Sequence, residues 1–531
     1  MLQDASDVSS RTLGADVCII GAGPAGLTVA AELVAKGLDV VVLEAGGLPY
    51  DRHDRRNLGK ALGDHLRGAQ SLARGRVSGE PYYPLRLSRA RGLAGSANAL
   101  MSHGLRARPL DAVDFGPRFG SSWPISYDEL LRHLPAAEVH AGVRSARDDQ
   151  VSWAPQKLRL GNRGSDVLVV APFRHGIRDH FPSEAARTDG SDRPRFITSS
   201  IVTGFRTGGS GTVKAVDVVS LRGASFRVEA SVFVLATGGV DNARVLLSSR
   251  PLLYSMDASA RLVGRNFMEH LHYVAGYLVP SSPDAAAEIA GVFGDPMHAA
   301  HWVTPADDIV LREDLLRVGA TAIPVQEESL HPAVPAAGEL ARIAPYGPYG
   351  PAARARQMGT ALRGISHVGR ALAVRVAGGV DRAVFGLAVM TEQIPHPDSR
   401  VSLTARRDRT GMLLPSLHWR VSDRDFTDAR RSIELLGAEV ERLGLGRLTS
   451  LWDRGAHRPD VVTGGWHHMG TTIMSAEPTM GVVDENCRVH GLANLYVAGS
   501  SVFPTSGYAN PTLTLLTLAV RLAAHLSSSP P

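Results

Sequence analysis

The stretch ADVCIIGAGPAGLTVAAELVAKGLDVVVLEAGG, residues 15–47, decides the fold. Its apolar run Val17–Ile20 is typical of a buried parallel strand, and it leads directly into the glycine-rich turn GAGPAG. Apolar residues then recur at helical spacing over Leu27–Ala35, and Asp39–Leu43 is a second β-rich run. Strand, glycine turn, helix and strand in this order predict the first half of a dinucleotide-binding domain.

Each part of this turn has a physical role. Gly21 permits the tight strand-to-helix turn, Gly23 lets the backbone approach a pyrophosphate, and Gly26 lets helix and strand pack closely. The helix N-terminus then offers N–H groups and a positive dipole end to the phosphates. Glu44 follows Gly26 by 18 residues, and it can accept the protons of both ribose hydroxyl groups. An acid here favours a free 2′-hydroxyl, which points to FAD or NAD rather than NADP.

Length and composition indicate a globular protein with more than one domain. The chain has 531 residues, beyond the roughly 250–300 at which single cores stop growing. Apolar residues make up 44% and charged residues 21%, which excludes a disordered acidic or basic protein, and no short period suggests collagen or a coiled coil. The net charge is +5, and Lys accounts for only four of the 57 basic residues. With no dense basic arm, we expect no nucleic-acid partner.

Targeting and cysteine patterns favour the cytoplasm. The N-terminal MLQDASDVSS carries acids where a signal peptide needs cations, and no run of about 18 apolar residues predicts a bilayer span. The most apolar segment, Leu513–Leu526, contains Arg521 and is interpreted as a terminal core helix. The two cysteines, Cys18 and Cys487, offer neither a disulfide framework nor a zinc site, and we predict no metal.

A second informative segment lies near the C-terminus. It begins GGWHHMGTT, with His467 and His468, and ends in the helix start Asn510-Pro511-Thr512. Taken alone, the asparagine can be an ordinary helix cap, and the two histidines can be one core and one exposed imidazole.

Together these motifs identify a family resemblance along nearly the whole chain. The protein resembles the glucose–methanol–choline (GMC) family of FAD-dependent oxidoreductases, and most closely its bacterial pyranose-oxidising branches. Seven elements carry the likeness: GAGPAG with Glu44, Ser88–Phe115, Trp123–Tyr127, Val234–Gly239 with Asn242-Ala-Arg244, Gly264–His270, Pro397–Val401, and the C-terminal His467-x-x-Gly470-Thr471 with Asn510-Pro511.

The resemblance implies a catalytic pair. The family's active histidine stands three residues before the Gly of its Gly-Thr, which selects His467, and Asn510 is its partner facing the flavin. A neutral imidazole suits removal of the hydroxyl proton as hydride leaves carbon for flavin N5. The amide of Asn510 can donate a hydrogen bond to the developing alkoxide.

The resemblance also implies how FAD is held and where the chain departs from the family. The expected FAD-binding residues are Gly21, Gly23, Gly26, Glu44, Gly95, Ser96, Asn98, Ala99, Gly499, Ser500, Asn510, Pro511 and Thr512. The position at which some pyranose oxidases link the flavin through histidine holds Ala99, so we expect non-covalent FAD unless His103 substitutes. Ile473 stands where bacterial relatives often have arginine, so one charged contact is absent there.

The expected fold class is α/β with two domains, as in p-hydroxybenzoate hydroxylase. A Rossmann-like FAD-binding domain comprises residues 1–115, 192–265 and 465–531. A substrate domain, built on an antiparallel sheet plus helices, comprises residues 116–191 and 266–464. The segment 332–370, rich in Pro, Gly, Ala and Arg, resembles no family core element; it is interpreted as a surface loop, with gating or oligomer contact as the alternative.

The expected reaction is oxidation of a sugar or glycoside secondary alcohol to a ketone, with an amino-sugar or a C- or O-glycoside as candidate substrates. His468, Tyr508 and Trp466 are the candidate substrate contacts, and oxygen or a quinone-like molecule is the expected electron acceptor. Oxidation of a primary alcohol to an aldehyde, a GMC-fold lyase with non-cycling FAD, an NAD-dependent enzyme without flavin and a non-enzymatic binding role remain alternatives, and an oligomer is left open.

Overall fold

The computed structural model describes residues 2–47, 68–100, 106–143, 152–176, 194–293, 301–325, 358, 362, 384–452, 459 and 462–528, with side chains 98–100 and 210 excepted. The segment 332–370, apart from Met358 and Leu362, and His103 lie outside these residues. Two large sheets, one mostly parallel and one antiparallel, organise the chain. The two-domain α/β fold class predicted from the sequence is therefore confirmed.

The strands are β1 (Leu2–Asp4), β2 (Thr12–Ile20), β3 (Val40–Leu43), β4 (Arg76–Gly79), β5 (Arg106–Ala107), β6 (Gln156–Leu160), β7 (Arg163–Pro172), β8 (Arg174–His175), β9 (Arg195–Thr198), β10 (Ser200–Thr207), β11 (Val213–Ser220), β12 (Ser225–Leu235), β13 (Leu271–Pro280), β14 (His301–Pro305), β15 (Val318–Val325), β16 (Val384–Thr391), β17 (Arg400–Arg407), β18 (Leu413–Trp419), β19 (Gly446–Ser450), β20 (Thr463–Gly464) and β21 (Leu495–Val497). The α-helices are α1 (Pro24–Val34), α2 (Ala112–Phe115), α3 (Tyr127–Leu131), α4 (Leu134–His140), α5 (Gly239–Ser248), α6 (Arg250–Met256), α7 (Pro283–Phe293), α8 (Asp307–Arg312), α9 (Asp423–Arg442) and α10 (Thr512–Ser528). Short 3₁₀ segments include Gly95–Leu100 and Ser500–Val502.

The first sheet has the order β1-β9-β3-β2-β12-β11-β10, with β21 beside the end of β12. Strands β9, β3, β2, β12 and β21 run parallel, so their carboxyl ends meet at one edge. The buried apolar residues of β2 and β3 suit strands covered on both faces. Helices α1 and α10 pack against each other beside this sheet. This edge is where a doubly wound sheet binds a nucleotide.

The second sheet has the order β19-β13-β16-β15-β14-β7-β6, with β20 on β13, and all its pairings are antiparallel. Helix α9 lies against it and is fixed at its start by a capping box, in which Ser422 and Asp425 exchange hydrogen bonds with each other's backbone. This sheet contributes the start of β13, with His270 just before it and His272 within it.

Two smaller sheets pair strands from the two expected domains. Strand β4 pairs with β18 in a three-stranded sheet completed by β17, and β5 pairs with β8. Both pairings cross the expected domain boundaries, because β4 and β5 come from residues 1–115 while β18 and β8 come from the segments assigned to the substrate domain. The strands of the two large sheets fall within the expected segments, and we retain those boundaries as a proposal.

Local predictions from the sequence compare closely with the structure. The predicted helix Leu27–Ala35 begins earlier, at Pro24, because proline suits the first turn of a helix. The predicted strand Val17–Ile20 is the buried end of the longer β2. The terminal core helix is α10, and Cys18 and Cys487 are buried free thiols. Among the described residues, no helix has the length and apolar character needed to cross a membrane.

Candidate active site

The nucleotide edge of the first sheet has space where a pyrophosphate would need it. A Cβ added at Gly21 would lie 2.5 Å from the carbonyl oxygen of Ala236, and one at Gly26 would lie 2.0 Å from that of Gly21. A Cβ at Gly23 would meet no atom within 4 Å. The first and third glycines are thus required by packing, whereas the second faces open space at the N-terminus of α1. These residues fit the diphosphate of FAD.

Glu44 lies at the end of β3 and organises this edge. Its Oε2 accepts a hydrogen bond from the amide of Ala22 at 2.9 Å, and its Oε1 accepts from the amides of Gly46 at 2.9 Å and Gly92 at 3.0 Å. Burial raises the pKa of this carboxyl group, and the amide donors oppose that shift. A carboxylate offers about four lone-pair positions, so acceptor capacity remains beside the three amide donors, and the contact of Glu44 with the ribose hydroxyl groups stays a prediction.

The segment expected to pass the flavin lies directly on this turn. The amide of Ala94 donates to the carbonyl of Ala22 at 2.8 Å, and a Cβ at Gly95 would lie 3.1 Å from the Cα of Gly23. Ala94 and Ala97 share a core cluster with Leu513 at the start of α10. Ser96 is exposed, and its hydroxyl lies 3.5 Å from the amide of Ala90.

The remaining expected FAD residues follow β21 or begin α10. Gly499, with φ of 122°, has no atom within 4 Å of an added Cβ, and the hydroxyl of Ser500 donates to the carbonyl of His468 at 2.8 Å. Pro511 is buried and directly precedes α10, and Thr512 is the first residue of that helix. The side chains of Asn98 and Ala99 lie outside the described residues.

His467 and Asn510 lie together although they are 43 residues apart. Asn510 Nδ2 lies 3.2 Å from His467 Nε2. His467 follows Trp466, whose φ of 62° places a bulky side chain in the left-handed region, a strained conformation that recurs at functional sites. The sequence-predicted pair is therefore in hydrogen-bonding contact, and its catalytic role stays a prediction.

A further histidine, His270, contacts the other side of the His467 ring. The two Nδ1 atoms are 2.9 Å apart, and His270 Nε2 lies 3.2 Å from the carbonyl oxygen of Ser506. Burial lowers the pKa of His270 to about 4, so its ring is neutral at physiological pH. Because a carbonyl only accepts, Nε2 of His270 carries the proton and its Nδ1 accepts.

These contacts determine the tautomer of His467. Its Nδ1 must donate to His270, so its Nε2 carries the lone pair and accepts the hydrogen bond from the amide of Asn510. Burial, followed by the nearby histidines His270, His272 and His468, holds the pKa of His467 well below its ordinary value. The group facing Asn510 is thus a neutral imidazole with a free lone pair.

His272 completes a cluster of three imidazoles. The ring nitrogens of His270, His272 and His467 lie within 4.8 Å of one another, a separation compatible with a metal site. In this structure the Nδ1 atoms of His270 and His467 are joined by a hydrogen bond. His270 and His467 are hydrogen bonded to each other, His272 Nε2 lies beside them without a hydrogen-bond partner, and the expected lack of a metal stays a prediction.

The loop that carries Asn510 is fixed from several sides. Thr505 accepts a hydrogen bond from Trp123 Nε1 at 2.8 Å, and Ser506 Oγ accepts one from the amide of Gln393 at 2.9 Å. The guanidinium of Arg317 lies over the ring of Tyr508, 5.0 Å from its centroid. Arg317 is fully buried and forms ion pairs with Asp111 and Asp307. These contacts hold Asn510 against His467 without relying on the pair's own hydrogen bond.

Unpaired polar atoms lie on aromatic walls close to this centre. Within the described residues, Trp302 Nε1, Tyr508 Oη and His272 Nε2 are buried without a hydrogen-bond partner. The Trp302 and Tyr508 rings meet at Gly319, where an added Cβ would lie 2.7 and 2.5 Å from them. Arg106 lies over the Trp302 ring at 5.9 Å, and its charge contributes to the lowered pKa of His467. Buried polar atoms of this kind are normally satisfied by a ligand or water.

The three sequence-predicted substrate contacts have different surroundings. Tyr508 is fully buried on the wall just described. His468 is buried beside Phe267, and its Nε2 hydrogen bonds with the hydroxyl of Tyr82 at 2.8 Å. Trp466 is 48% exposed and packs edge-on against Tyr83, with ring centroids 5.4 Å apart. Their contacts with substrate stay predictions.

Sequence reasoning missed His272, Trp302 and Arg106, and it gave His270 no role. His270 ends the Gly264–His270 landmark and Arg106 lies within the Ser88–Phe115 element, so both had a signal in the sequence. His272 and Trp302 lie on strands distant in sequence from His467, and without the fold their positions carry no pattern.

Comparisons with known proteins agree with this architecture. The family model described as GMC oxidoreductase matches residues 395–519, and the model described as FAD dependent oxidoreductase matches residues 16–151. The 2-methyl-1,2-propanediol dehydrogenase of Mycolicibacterium austroafricanum is 24% identical, with 96% of this chain and 95% of that protein covered. The 6'''-hydroxyparomomycin C oxidase of Streptomyces lividus is 25% identical, with 97% and 92% covered.

A local match and a solved structure add to this. The C-glycoside 3-oxidase of Microbacterium trichothecenolyticum is 34% identical over 27% of each chain. The crystal structure of a pyridoxine 4-oxidase from Mesorbium loti superposes with a TM-score of 0.59 at 19% identity, covering 97% of this chain and 99% of that one. At that identity the superposition supports the fold alone.

Proposed function

Because the chain belongs to the GMC family of FAD-dependent oxidoreductases and is an alcohol or sugar oxidoreductase with FAD as its cofactor, we propose that it oxidises a secondary alcohol of a sugar or glycoside to a ketone. The observation that carries this proposal is the contact between His467 and Asn510. The lone pair of His467 Nε2 and an amide donor of Asn510, 3.2 Å apart, face each other where a hydroxyl group can join both.

In the proposed reaction a substrate hydroxyl replaces this contact. Its proton lies toward His467 Nε2, and its oxygen accepts the hydrogen bond from Asn510 Nδ2. FAD, held at the nucleotide edge by Gly21, Gly23, Gly26 and Glu44, would supply the two-electron acceptor for the hydride of the carbinol carbon. His467 takes the hydroxyl proton as the carbonyl forms, so the alcohol loses one proton and one hydride. Asn510 stabilises the developing negative charge on oxygen.

His270 has a positioning role in this mechanism. Its Nε2–H is held by the carbonyl of Ser506, which keeps its Nδ1 available as acceptor for His467. The same hydrogen bond stays in place after His467 gains a proton, because Nδ1 of His467 donates in both states. His270 therefore favours the reactive tautomer before the step and stabilises the imidazolium after it.

The wall of unpaired polar atoms supports a polyhydroxylated substrate. Trp302 Nε1 is a donor, Tyr508 Oη can donate or accept, and His272 Nε2 is a third polar atom near His467. A substrate with several hydroxyl groups can satisfy such atoms where they face it, whereas a simple aliphatic alcohol leaves them unpaired at a cost of about 1–3 kcal/mol each. The names of two relatives, a hydroxyparomomycin oxidase and a C-glycoside oxidase, agree with such a substrate class.

Anaerobic mixing with a substrate panel tests the proposal. The panel contains pyranosides, amino-sugar glycosides, C-glycosides and simple primary and secondary alcohols. We expect bleaching of the flavin band with the glycosides and a keto-sugar product. Bleaching only with primary alcohols would show that the substrate is a primary alcohol and not a glycoside. Product without bleaching would indicate a lyase. A purified protein that retains no flavin would contradict the assignment of FAD as the cofactor. Each substrate that bleaches the flavin is then tested again in air and with a quinone, which identifies the electron acceptor.

A further inference from the structure

A buried carboxyl group, Glu269, lies directly behind the histidines of the site. Its side chain is fully buried, and Oε1 accepts hydrogen bonds from the amides of His467 at 2.7 Å and His270 at 3.1 Å. Its Oε2 accepts the hydrogen bond of the Tyr82 hydroxyl. One carboxyl group therefore holds the backbone of both histidines.

This carboxyl group belongs to a closed set of hydrogen bonds. The amide of Glu269 donates to Gln393 Oε1 at 2.9 Å, and the amide of Gln393 donates to Ser506 Oγ at 2.9 Å. Ser506 in turn accepts from His270 through its carbonyl. The set joins the start of β13, the end of β16 and the loop that carries Asn510, so the acid is connected to both members of the proposed catalytic pair.

The charges around His467 make this acid important for the reaction. The groups that lower the pKa of His467, after burial itself, are His270, His272, His468 and Arg106, all of which disfavour an imidazolium. Within the described part of the chain, Glu269 is the acidic side chain that accepts a hydrogen bond from the backbone amide of His467. When His467 takes a proton in this buried environment, an opposite charge nearby has a large effect because little water screens it.

We infer that Glu269 is a positioning residue whose negative charge balances the His467 imidazolium formed during turnover. The inference rests on the proposed function, since it assigns the acid to the proton step of that reaction. Glu269 touches neither the hydroxyl group nor the flavin in this mechanism. It acts through the backbone amide of His467 and through its charge.

The state of Glu269 is sensitive to pH in the neutral range. Burial raises its pKa to about 7, while Tyr82 and the amides of His467, His270 and Gly465 oppose that shift. Asp114, which lies against Gly507 of the loop that carries Asn510, also has a pKa raised by burial to about 7, and the profile of Glu269→Gln distinguishes the two acids. The groups that contact Glu269 through Tyr82 keep their charge state in this range. Tyr82 and His468 are neutral, because burial raises the pKa of the phenol well above its ordinary value and lowers that of the imidazole to about 3, and Arg89 and Asp241 form an ion pair beyond them. Since the acid acts when ionised, the rate should rise with pH through about 7.

Glu269→Gln removes the charge and keeps the shape. The Gln oxygen can still accept from the two backbone amides, and its NH₂ group can donate to the Tyr82 oxygen once the Tyr82 hydroxyl turns toward His468. We expect FAD content and KM close to wild type, a kcat lower by roughly 10- to 100-fold, and loss of the inflection near pH 7. Glu439→Gln is the matched control, because Glu439 is a buried acid on α9 that accepts hydrogen bonds from Ser165 and Arg442 and none from the histidines of the site.

Tyr82→Phe gives an independent readout. Removing the hydroxyl takes away a hydrogen bond that lowers the pKa of Glu269, so the inflection should move to higher pH. A wild-type rate and pH profile in Glu269→Gln would overturn the inference. If that variant does not fold, an unmoved inflection in Tyr82→Phe overturns it. If wild-type enzyme with bound FAD is not reduced by any alcohol, the proposed function itself fails, and the two failures are thereby distinguished.

Discussion

Two substitutions at His270 separate its two hydrogen bonds. The amide of an Asn side chain places its oxygen close to the position of the imidazole Nδ1, whereas a Gln side chain reaches the position of Nε2. His270→Asn therefore keeps an acceptor for His467 Nδ1 and loses the donor to the Ser506 carbonyl. His270→Gln keeps that donor and loses the acceptor, which the structure places 2.9 Å from His467.

The difference between the two variants follows from the cost of an unpaired buried donor. Without its acceptor, the Nδ1–H of His467 is unsatisfied, at about 1–3 kcal/mol. The ring then favours the opposite tautomer, whose Nε2–H cannot take a proton from substrate, and the amide of Asn510 turns to accept from it. A shift of that size lowers the reactive fraction roughly 5- to 150-fold. We expect His270→Gln to lose this factor in kcat and His270→Asn to lose only a few-fold.

The assay is the rate of flavin reduction after anaerobic mixing with saturating alcohol, normalised to the bound FAD of each variant. Normalisation removes any difference in stability or cofactor content. Equal rates of flavin reduction in His270→Gln and His270→Asn would refute the role of His270 in selecting the tautomer. Loss of the acceptor for His467 Nδ1 would then have no effect on the reaction.

Three further outcomes are expected. Asn510→Ala should retain FAD and lose roughly 10²-fold or more in kcat, because the donor to the developing alkoxide is gone; a loss confined to KM would contradict this. Boiling or acid should release all flavin to the supernatant, since the methyl group of Ala99 forms no bond to it, and a coloured pellet would show a covalent link. Burial lowers the pKa of His270 to about 4 and of His468 to about 3, below the value of roughly 6.5 in an unfolded chain, so the stabilising contribution of each neutral ring is full above pH 6.5 and falls by about 2 kcal/mol at pH 5. Burial also raises the pKa of Glu269 and Asp114 to about 7, and their protonation stabilises the fold as the pH drops, so the test compares His468→Gln with wild type. The variant should lose about 2 kcal/mol less unfolding free energy between pH 7 and pH 5; an unchanged loss would contradict this.

The dinucleotide edge was predictable from the sequence because its signals are local. Gly21, Gly23 and Gly26 lie within six residues, packing requires the first and the third while the second faces open space, and Glu44 follows the next strand. Strand, turn, helix and strand are continuous in the chain, so their order alone specifies a Rossmann-like unit. The small sheet was not predictable, because β4 and β18 pair across about 340 residues without any matching pattern.

The site was only partly predictable for the same reason. His467 and Asn510 were identified through resemblance, since neither a histidine nor an asparagine before proline is specific by itself. Glu269, His272 and Trp302 acquire meaning only from the fold, which brings them to His467 or to the Tyr508 wall. Position in the sequence does not by itself show the role of His468. This residue follows His467 directly, yet its ring forms a hydrogen bond with Tyr82.

The central claim is that His467 takes the hydroxyl proton as the alcohol is oxidised. The most direct test compares wild type and His467→Ala by anaerobic rapid mixing, with both proteins loaded with FAD and followed at the flavin absorbance band. General base catalysis typically contributes about 10²–10⁴-fold, so the variant should stay yellow, bind substrate and reduce its flavin slower by that factor. Reduction of His467→Ala at the wild-type rate would contradict the account.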